Sequence, residues 1–350
     1  MEFAIAPTRQ QVFSEHFPDA PKFRWKQVEQ ALFQDRVRGW NDVSSLPKEA
    51  RSVLNDNASW ITLEEKKIFL SKNKDTHKAI LKTYDGLLIE TVLMANSRGH
   101  WTICVSSQVG CAMGCTFCAT GTMGLKRSLS SDEIIDQYRF WMYFLADNFK
   151  TPEMISNVVF MGMGEPLMNY ENVKKTIQNW LQYTEIGKTH ITVSTVGVIP
   201  VMEKILIDPE WPDVRIAISL HSPNALKRKE IVPTTIPGFH DTLADWAKRY
   251  AKAYPSRKNH ITYEYTLLNE VNDTPQNAHE LAKYILTTSV SKINVIPYNP
   301  VSGKVFSRSQ QDRIDIFKDI VSTYGITITQ RRTMGDDIAA ACGQLVTLGV

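Results

Sequence analysis

Short runs of β-branched residues alternate with stretches of helical periodicity from about residue 100 onwards. This alternation predicts parallel strands connected by helical crossovers, because parallel neighbours cannot be joined by a tight turn. The predicted strands are residues 102–106, 157–161, 190–195, 214–220, 261–266 and 292–296, with a last strand at 326–331. The predicted helices include residues 131–146, 171–183, 242–254, 277–286 and 311–324. Six strand–helix units are too few to close an eight-stranded barrel, so we expect an α/β fold, a partial (β/α)6 barrel.

The first 95 residues have a different pattern. Apolar residues at helical spacing predict a helix over residues 23–33, and Ser45 followed by Leu46-Pro47 is typical of a capped helix start. Asp85-Gly86 between two apolar runs predicts a β-hairpin. We therefore expect three parts: a small helical module with a β-ribbon at 1–95, the barrel at 96–330, and a C-terminal loop at 331–350.

The cysteines carry more information than the rest of the composition. The five cysteines are Cys104, Cys111, Cys115, Cys118 and Cys342. An odd number, with four inside 15 residues, makes a poor disulfide framework and indicates metal ligands or redox-active thiols in a reducing compartment. The first residues carry no targeting pattern, and no apolar run approaches the roughly 20 residues of a membrane span. We expect a cytoplasmic protein that makes no membrane contact.

Charge gives only local hints about nucleic acid. Lys and Arg total 40 against 37 Asp and Glu, so the formal net charge is only +3. Residues 215–260 nevertheless contain nine basic and three acidic side chains, which suggests a phosphate-contacting face or an ordinary solvated surface. The N-terminal module is a second candidate for RNA contact through Lys22, Arg24, Lys26, Arg36 and Arg38.

Unusual residues follow the predicted strands repeatedly. The cysteine cluster follows the first strand, and the Gly-rich segment 162–166 follows the second. Polar residues also end the later strands: Ser194, Ser219, His221 and Asn299. Parallel β/α folds bind ligands at the carboxyl ends of their strands. This convergence indicates an enzyme.

Cys111, Cys115 and Cys118 have C-x3-C-x2-C spacing in a predicted loop. Three thiolates can hold a 4Fe-4S cluster and leave one iron open for reaction. A structural zinc site needs four ligands, and the nearest further candidates, Cys104 and His100, precede the loop. A zinc knuckle or a chance grouping of thiols stays the alternative on spacing alone.

The cysteine spacing matches the signature of radical S-adenosylmethionine (SAM) enzymes. Four further segments resemble the RlmN/Cfr family of radical SAM RNA methyltransferases, and the resemblance spans essentially the whole chain. These segments are Cys104-Val-Ser-Ser-Gln-Val-Gly-Cys111, Phe160-Met-Gly-Met-Gly-Glu-Pro-Leu167, Ser219-Leu-His-Ser-Pro223 and Gly335-Asp-Asp-Ile-Ala-Ala-Ala-Cys342-Gly-Gln-Leu345.

The resemblance implies two cofactors, a 4Fe-4S cluster and SAM, with two SAM molecules consumed per turnover. Cys111, Cys115 and Cys118 would hold the cluster. The residues that would contact SAM are Gly164, Glu165, Ser194, Ser219, Leu220, His221 and Asn299.

The resemblance also implies roles for three further residues. Cys342 would take a methyl group from one SAM, and a 5′-deoxyadenosyl radical from the second SAM would then remove a hydrogen from that methyl. The resulting radical would add to adenine, Glu90 would remove the ring proton, and Cys104 would attack Cys342 to release the RNA and leave a disulfide. This scheme requires Cys104 and Cys342 to lie close together and Cys342 to lie on a mobile loop.

The implied substrates are an adenosine in the peptidyl-transferase loop of 23S rRNA, methylated at C2, and an anticodon-loop adenosine of tRNA. A flavodoxin- or ferredoxin-type electron donor and a monomeric state are also expected. Two alternatives stay open. The first is a Cfr-type enzyme that methylates C8 and gives antibiotic resistance. Ser219-Leu-His-Ser-Pro and Cys118-Ala-Thr-Gly resemble this type, whereas Gly164-Glu-Pro-Leu-Met-Asn and segment 332–338 resemble the C2 type. The other is a non-catalytic, metal-stabilised RNA-binding protein.

Overall fold

The computed structural model describes residues 6–96, 99–151, 153–255, 261–290 and 292–346. Its helices are α1 (Arg9–His16), α2 (Lys22–Leu32), α3 (Lys48–Asn57), α4 (Ala119–Thr122), α5 (Ser131–Asn148), α6 (Tyr170–Tyr183), α7 (Ile199–Ile207), α8 (Ala225–Ile231), α9 (Phe239–Ala253), α10 (Pro275–Leu286) and α11 (Gln311–Ser322). Its strands are β1 (Glu64–Leu70), β2 (Thr76–Lys82), β3 (Leu88–Ala95), β4 (Trp101–Cys104), β5 (Gln108–Gly110), β6 (Leu125–Ser128), β7 (Ile155–Phe160), β8 (Ile191–Thr195), β9 (Arg215–Ser219), β10 (Thr262–Leu267), β11 (Lys292–Pro297) and β12 (Thr327–Gln330). Within these ranges, no helix combines the length and the apolarity needed to cross a membrane.

In the part of the chain that the structure describes, seven parallel strands form the centre. They lie in the order β4, β7, β8, β9, β10, β11 and β12, and each neighbouring pair is parallel. Helical crossovers connect successive strands, so the predicted partial (β/α)6 fold is confirmed. Val158, Val193 and Ile218 are fully buried, as expected for strands that have helices on one face and packed side chains on the other.

The N-terminal ribbon belongs to the same sheet as the barrel strands. The predicted hairpin is present as β2 and β3, which pair antiparallel, and β3 continues the pairing onto β4, with Val92 opposite Cys104. β1 adds an outer antiparallel strand that the sequence did not predict, because its charged residues are mostly exposed and lack an apolar alternation. The division of the chain near residue 95 therefore stays an interpretation, since the sheet continues through it.

The N-terminal helices have a hydrophobic core of their own and are fixed to the barrel by buried charges. Val28, Leu54 and Trp40 are among the core residues. Arg9 donates to Asp136 of α5 at 3.0 Å, and Arg139 binds the same carboxylate. The predicted Ser45 cap is wrong: Pro47 occupies the N-cap of α3 without a side-chain hydrogen bond, and the helix begins at Lys48.

Candidate active site

A loop between β5 and β6 carries the three clustered cysteines. The two strands pair antiparallel and close the base of the loop, where the Cys111 N–H donates to the Gly124 carbonyl at 3.1 Å. Gly110 has φ +77°, and a Cβ there would lie 1.9 Å from the same carbonyl oxygen. Only glycine permits this closure, so the sequence before Cys111 shapes the loop.

The surroundings of the three thiols suit a metal cluster. Cys115 belongs to a buried apolar group with Ile231 and Tyr298, and Cys111 and Cys118 pack against it. Burial, together with the charges of Glu165 and Cys118, raises the pKa of the Cys111 thiol to about 12. Burial and the neighbouring cysteines likewise raise the pKa of Cys115. Adjacent thiolates here need a bound cationic centre, so the donor set fits an iron–sulfur cluster.

Among the described residues, no three Cys, His, Asp or Glu side chains are grouped so that they could hold a single metal ion. The three cysteines of a 4Fe-4S cluster bind three different irons, so this arrangement agrees with the donor chemistry described above.

A cavity of about 140 Å³ lies at the carboxyl ends of the parallel strands, next to the cysteine loop. It brings together the three loop cysteines, six residues predicted to contact SAM, and Cys342. The lining includes Cys111, Cys115, Cys118, Gly164, Glu165, Ser194, Ser219, His221, Asn299 and Cys342. Leu220 is the exception: it is fully buried outside this lining, and its N–H donates to the Glu264 carbonyl at 3.0 Å.

Gly164 and Glu165 form a tight turn after β7. Gly164 has φ +102°, and a Cβ there would lie 2.6 Å from the Gln108 side chain. The Glu165 carboxylate accepts hydrogen bonds from the N–H groups of Val196 at 2.9 Å and Leu167 at 3.0 Å. Burial raises the pKa of Glu165 to about 7 despite these bonds. The group is therefore a buried acid that can accept a hydrogen bond from an amine in the cavity.

His221 has a constrained backbone and a neutral ring. Its φ is +56°, which is unusual for a residue other than glycine. The Thr266 N–H donates to its Nδ1 at 3.1 Å, and its ring meets that of Phe117 edge-on at 4.8 Å. Burial, together with the charge of Arg228, lowers the pKa of His221 to about 3. It therefore presents an uncharged aromatic surface at neutral pH.

A second cavity, of about 80 Å³, brings Cys104 and Cys342 together although 238 residues (342 − 104) separate them. Cys342 borders this cavity and the larger one. Burial raises the pKa of Cys104 to about 12, with a further contribution from Cys342, whereas Arg331 opposes it. Both thiols are free.

The segment around Cys342 is docked on the cysteine loop. The Ala119 N–H donates to the Gly343 carbonyl at 2.7 Å, and the Thr120 hydroxyl donates to the Leu345 carbonyl at 2.6 Å. Asn299 Nδ2 donates to the Cys342 carbonyl at 3.2 Å. The structure thus shows the segment that carries Cys342 held against the site by hydrogen bonds.

Glu90 lies on β3, outside the lining of both cavities. Its carboxylate is buried, forms an ion pair with Lys78 at 3.0 Å and accepts the Val346 N–H at 2.8 Å. Burial raises the pKa of Glu90, and Lys78 opposes this shift. Lys78 also donates to the Ala339 carbonyl at 3.2 Å, so the pair contacts the segment on both sides of Cys342.

Several charged residues in or beside the site were not predicted from the sequence, Glu264 and Arg228 among them. Glu264 lines the larger cavity from β10, where a single acid inside a buried strand was the available signal. Arg228 was counted with the basic face of residues 215–260, but it is only 1% exposed and cannot contact a phosphate backbone. Arg249 of that set pairs with Glu203, and Arg257 and Lys258 lie outside the described residues.

Larger clefts lie at the opposite ends of the strands. One of about 530 Å³ is bordered by Phe33 and Ile155, and one of about 500 Å³ by His190 and Arg215. Neither lining contains a predicted site residue, so the chemistry belongs to the smaller cavities at the carboxyl edge.

Comparison with known proteins gives a consistent result. Residues 105–282 match the family model of the Radical SAM superfamily. The chain is 39% identical over 329 residues to the dual-specificity RNA methyltransferase RlmN of Francisella tularensis subsp. holarctica, covering 93% of this chain and 86% of that protein. It is 40% identical over 327 residues to the protein of the same name from Alkalilimnicola ehrlichii, covering 93% and 88%. The crystal structure of a radical SAM methyltransferase from Sphaerobacter thermophilus has a TM-score of 0.87 at 33% identity, covering 98% of this chain and 99% of that chain.

Proposed function

The chain belongs to the RlmN family of radical SAM RNA methyltransferases, and we propose that it methylates carbon C2 of adenosine. The proposed substrates are the peptidyl-transferase loop of 23S rRNA and the anticodon loop of tRNA. The names of the matched relatives, dual-specificity RNA methyltransferases, support two RNA substrates. These relatives are enzymes, and the membership of this chain in their family argues against the non-catalytic alternative.

The position of Cys342 between two cavities is the observation that carries the proposal. One cavity contains the three loop cysteines and the other contains Cys104. A sulfur that receives a methyl group in the SAM cavity and transfers it to RNA must reach both the loop cysteines and Cys104. We therefore assign Cys342 as the residue that carries the methyl group and Cys104 as the thiol that frees the product.

The residues of the larger cavity have separate tasks in this proposal. A 4Fe-4S cluster held by Cys111, Cys115 and Cys118 would supply the electron that makes SAM reactive toward an inert ring carbon. Glu165 would accept a hydrogen bond from the SAM amino group. Further polar contacts to SAM would come from Ser194, Ser219, His221 and Asn299, and from the backbone at Gly164. Leu220, whose N–H and carbonyl already bind Glu264 and Arg228, would contribute by packing beneath these residues.

Glu90 serves as the proposed base for the adenine ring proton. Its burial keeps the carboxylate away from water and raises its pKa, which makes it a stronger base, while the ion pair with Lys78 at 3.0 Å favours the ionised form. The Val346 N–H that it accepts belongs to the same C-terminal segment as Cys342. Movement of this segment when RNA binds would free one carboxylate oxygen for the proton.

The substrate adenine must leave its stack to reach Cys342, so we propose recognition of a flipped base or a single-stranded loop. The N-terminal helical module is the proposed site of additional RNA contact. All five cysteines of the chain fall in the site, which leaves none for an internal electron relay. This supports an external donor of the flavodoxin or ferredoxin type, and we propose that the chain acts as a monomer.

Anaerobic reconstitution followed by nucleoside mass spectrometry of treated rRNA and tRNA tests the proposal. We expect 2-methyladenosine in both RNAs. A product that is only 8-methyladenosine would contradict the C2 assignment and support the Cfr-type alternative.

Two cysteine variants test the roles of the thiols in the same assay. Cys104→Ala should stall with RNA covalently attached to the protein, whereas Cys342→Ala should form no attachment. Turnover by both variants at the wild-type rate would contradict the proposed thiol chemistry.

A further inference from the structure

Arg228 on α8 is a buried cation that is bonded only to neutral oxygen atoms. Its Nε donates to the Leu220 carbonyl at 3.0 Å, and its Nη1 donates to the Thr235 hydroxyl at 2.6 Å. Its Nη2 donates to the carbonyls of Val196 at 2.6 Å and Ser219 at 3.1 Å. The guanidinium is therefore well bonded, but none of these partners neutralises its charge.

The other buried arginines of the described chain have carboxylate partners. Arg9 and Arg139 share Asp136, and Arg127 pairs with Glu133. Within the same described ranges, no carboxylate forms an ion pair with Arg228. An unpaired buried charge is strongly unfavourable, so its presence indicates that a negative charge accompanies it in the working protein.

The helix that carries Arg228, α8, ends against the cysteine loop. The Ile231 carbonyl, at the end of the same helix, accepts the Thr116 N–H at 2.9 Å. Ile231 also packs in the same buried apolar group as Cys115. The face of the Phe239 ring, 3.7 Å from the guanidinium carbon, compensates part of the charge. The remaining compensation is available from the cysteine side.

We propose that Arg228 is the fixed counter-charge of the iron–sulfur site and raises the reduction potential of a cluster bound there. This inference rests on the proposed function, because it concerns the cluster held by Cys111, Cys115 and Cys118. When an external protein donor delivers one electron, the site gains one negative charge, and Arg228 favours that state without itself gaining or losing a proton. Arg228 acts through the cluster ligands and is a positioning residue rather than a catalytic one.

A purely structural role would also explain why Arg228 is buried, since its bonds connect the ends of β8 and β9. Two substitutions separate charge from bonding. Arg228→Lys keeps the positive charge and loses most of the bonds, whereas Arg228→Gln loses the charge and keeps a shorter amide donor. If the charge matters, the two variants differ, and if only the bonds matter, they behave alike.

The measurement is a potentiometric titration of the anaerobically reconstituted protein, followed by electron paramagnetic resonance of the reduced cluster. Arg228→Gln should reduce the ratio of reduced to oxidised cluster about tenfold at a given poise, a shift of about 59 mV to lower potential for one electron. Arg228→Lys should stay within a third of that shift. Equal shifts in both variants, or none in Arg228→Gln, would overturn the proposal.

A second pair of variants leaves Arg228 in place. Thr235 is 7% exposed and accepts its Nη1 hydrogen bond, so Thr235→Asp introduces a carboxylate that cancels the charge, and Thr235→Asn is the matched neutral control. The Asp variant should lower the potential as Arg228→Gln does, and the Asn variant should not. Equal potentials in this pair, or loss of iron from the Asn variant, would show that packing rather than charge matters and would overturn the proposal.

These measurements distinguish an error in the proposed function from an error in the role of Arg228. If the wild-type protein binds no cluster, the proposed function is wrong. If the wild-type cluster titrates normally and the charge variants leave its potential unchanged, only the role of Arg228 is wrong.

Discussion

Glu165 gives the stability of the cofactor-free protein a distinctive pH dependence. Burial raises its pKa from 4.5 to about 7, so the folded protein holds a proton that the unfolded chain releases above pH 4.5. The stability from this group is present below pH 4.5 and is lost as pH rises through 7, an effect of about 3 kcal/mol. Glu165→Gln should therefore gain stability relative to wild type between pH 5 and pH 8, measured by urea unfolding.

Glu171→Gln is the control for this experiment. Glu171 is exposed, and its hydrogen bond to Lys204 lowers its pKa, so this substitution should destabilise slightly at high pH. A stability difference between Glu165→Gln and wild type that does not change with pH would contradict the raised pKa of Glu165.

Lys78 opposes the burial that raises the pKa of Glu90. Removing the ammonium in Lys78→Met leaves a buried carboxylate with the Val346 N–H, so the pKa of Glu90 should rise further. The pH–rate profile of RNA methylation should then move to higher pH by about one unit or more. Lys82→Met, which removes a partly exposed lysine paired with Glu64, should leave the profile unchanged. An unmoved profile in Lys78→Met would argue against Glu90 as the base.

The ribbon formed by β5 and β6 is the element on which the cysteine loop depends. Gly110→Ala would place a methyl group 1.9 Å from the Gly124 carbonyl oxygen, so the strands must separate at the base of the loop. We expect the reconstituted variant to lose most of its iron, measured by iron and sulfide analysis. Gly39→Ala is the control, because its Cβ would meet nothing closer than 4.0 Å. Full iron content in Gly110→Ala would show that the loop does not need this closure.

Helix α5 holds the N-terminal module through Asp136. This fully buried carboxylate binds Arg9 and Arg139, so Asp136→Asn leaves two buried guanidinium groups without their shared anion. Breaking a buried ion pair costs roughly 3–5 kcal/mol, and denaturant unfolding should show a loss of that order. Asp147→Asn, at the exposed end of the same helix, removes only the pair with Arg38 and should cost under about 1 kcal/mol. Similar losses in both variants would contradict the assignment of Asp136.

At the scale of the whole molecule, the two halves of the site are coupled by hydrogen bonds. The cysteine loop donates to the carbonyls of Gly343 and Leu345, so the order of the C-terminal segment should depend on the loop. In the iron-free protein, amide hydrogen exchange across residues 336–346 should be faster than in the reconstituted protein. Exchange in α11 should be equal in both and serves as the internal reference. Equal exchange in the segment would indicate that it is held independently of the cluster.

The sequence predicts the parallel core well because its signals are local. Buried strands such as β8 combine β-branched residues with a polar residue at the carboxyl end, and both features lie within a few positions. Features that depend on distant pairing were missed. β1 carries charges on an exposed edge, and the burial of Arg228 follows from the packing of α8 against strand ends. A basic residue in a basic stretch gives no local sign that it faces the interior.

The candidate site shows the same difference between local signals, which the sequence reveals, and distant contacts, which it does not. The positions of the loop cysteines and the Gly-rich turn follow from short motifs, whereas the meeting of Cys104 with Cys342 requires the whole sheet to bring residue 104 under the C-terminal segment. The contact of Glu90 with Lys78 needs the register of β2 on β3, in which Ile80 lies opposite Glu90. The Asp85-Gly86 pair predicts that a turn is present, but the register also depends on the length and geometry of the loop, which that pair does not specify.

One sulfur atom at the wall between two chambers can serve only one of them at a time. If Cys342 carries the methyl group as proposed, methyl uptake and methyl transfer exclude each other in time, because each requires the sulfur to face a different cavity. A compound small enough to fill the 80 Å³ cavity beside Cys104 would block only the transfer of the methyl group and the release of the product. The protein would accumulate in its loaded state, so a blocker of this kind would trap the enzyme halfway through its cycle.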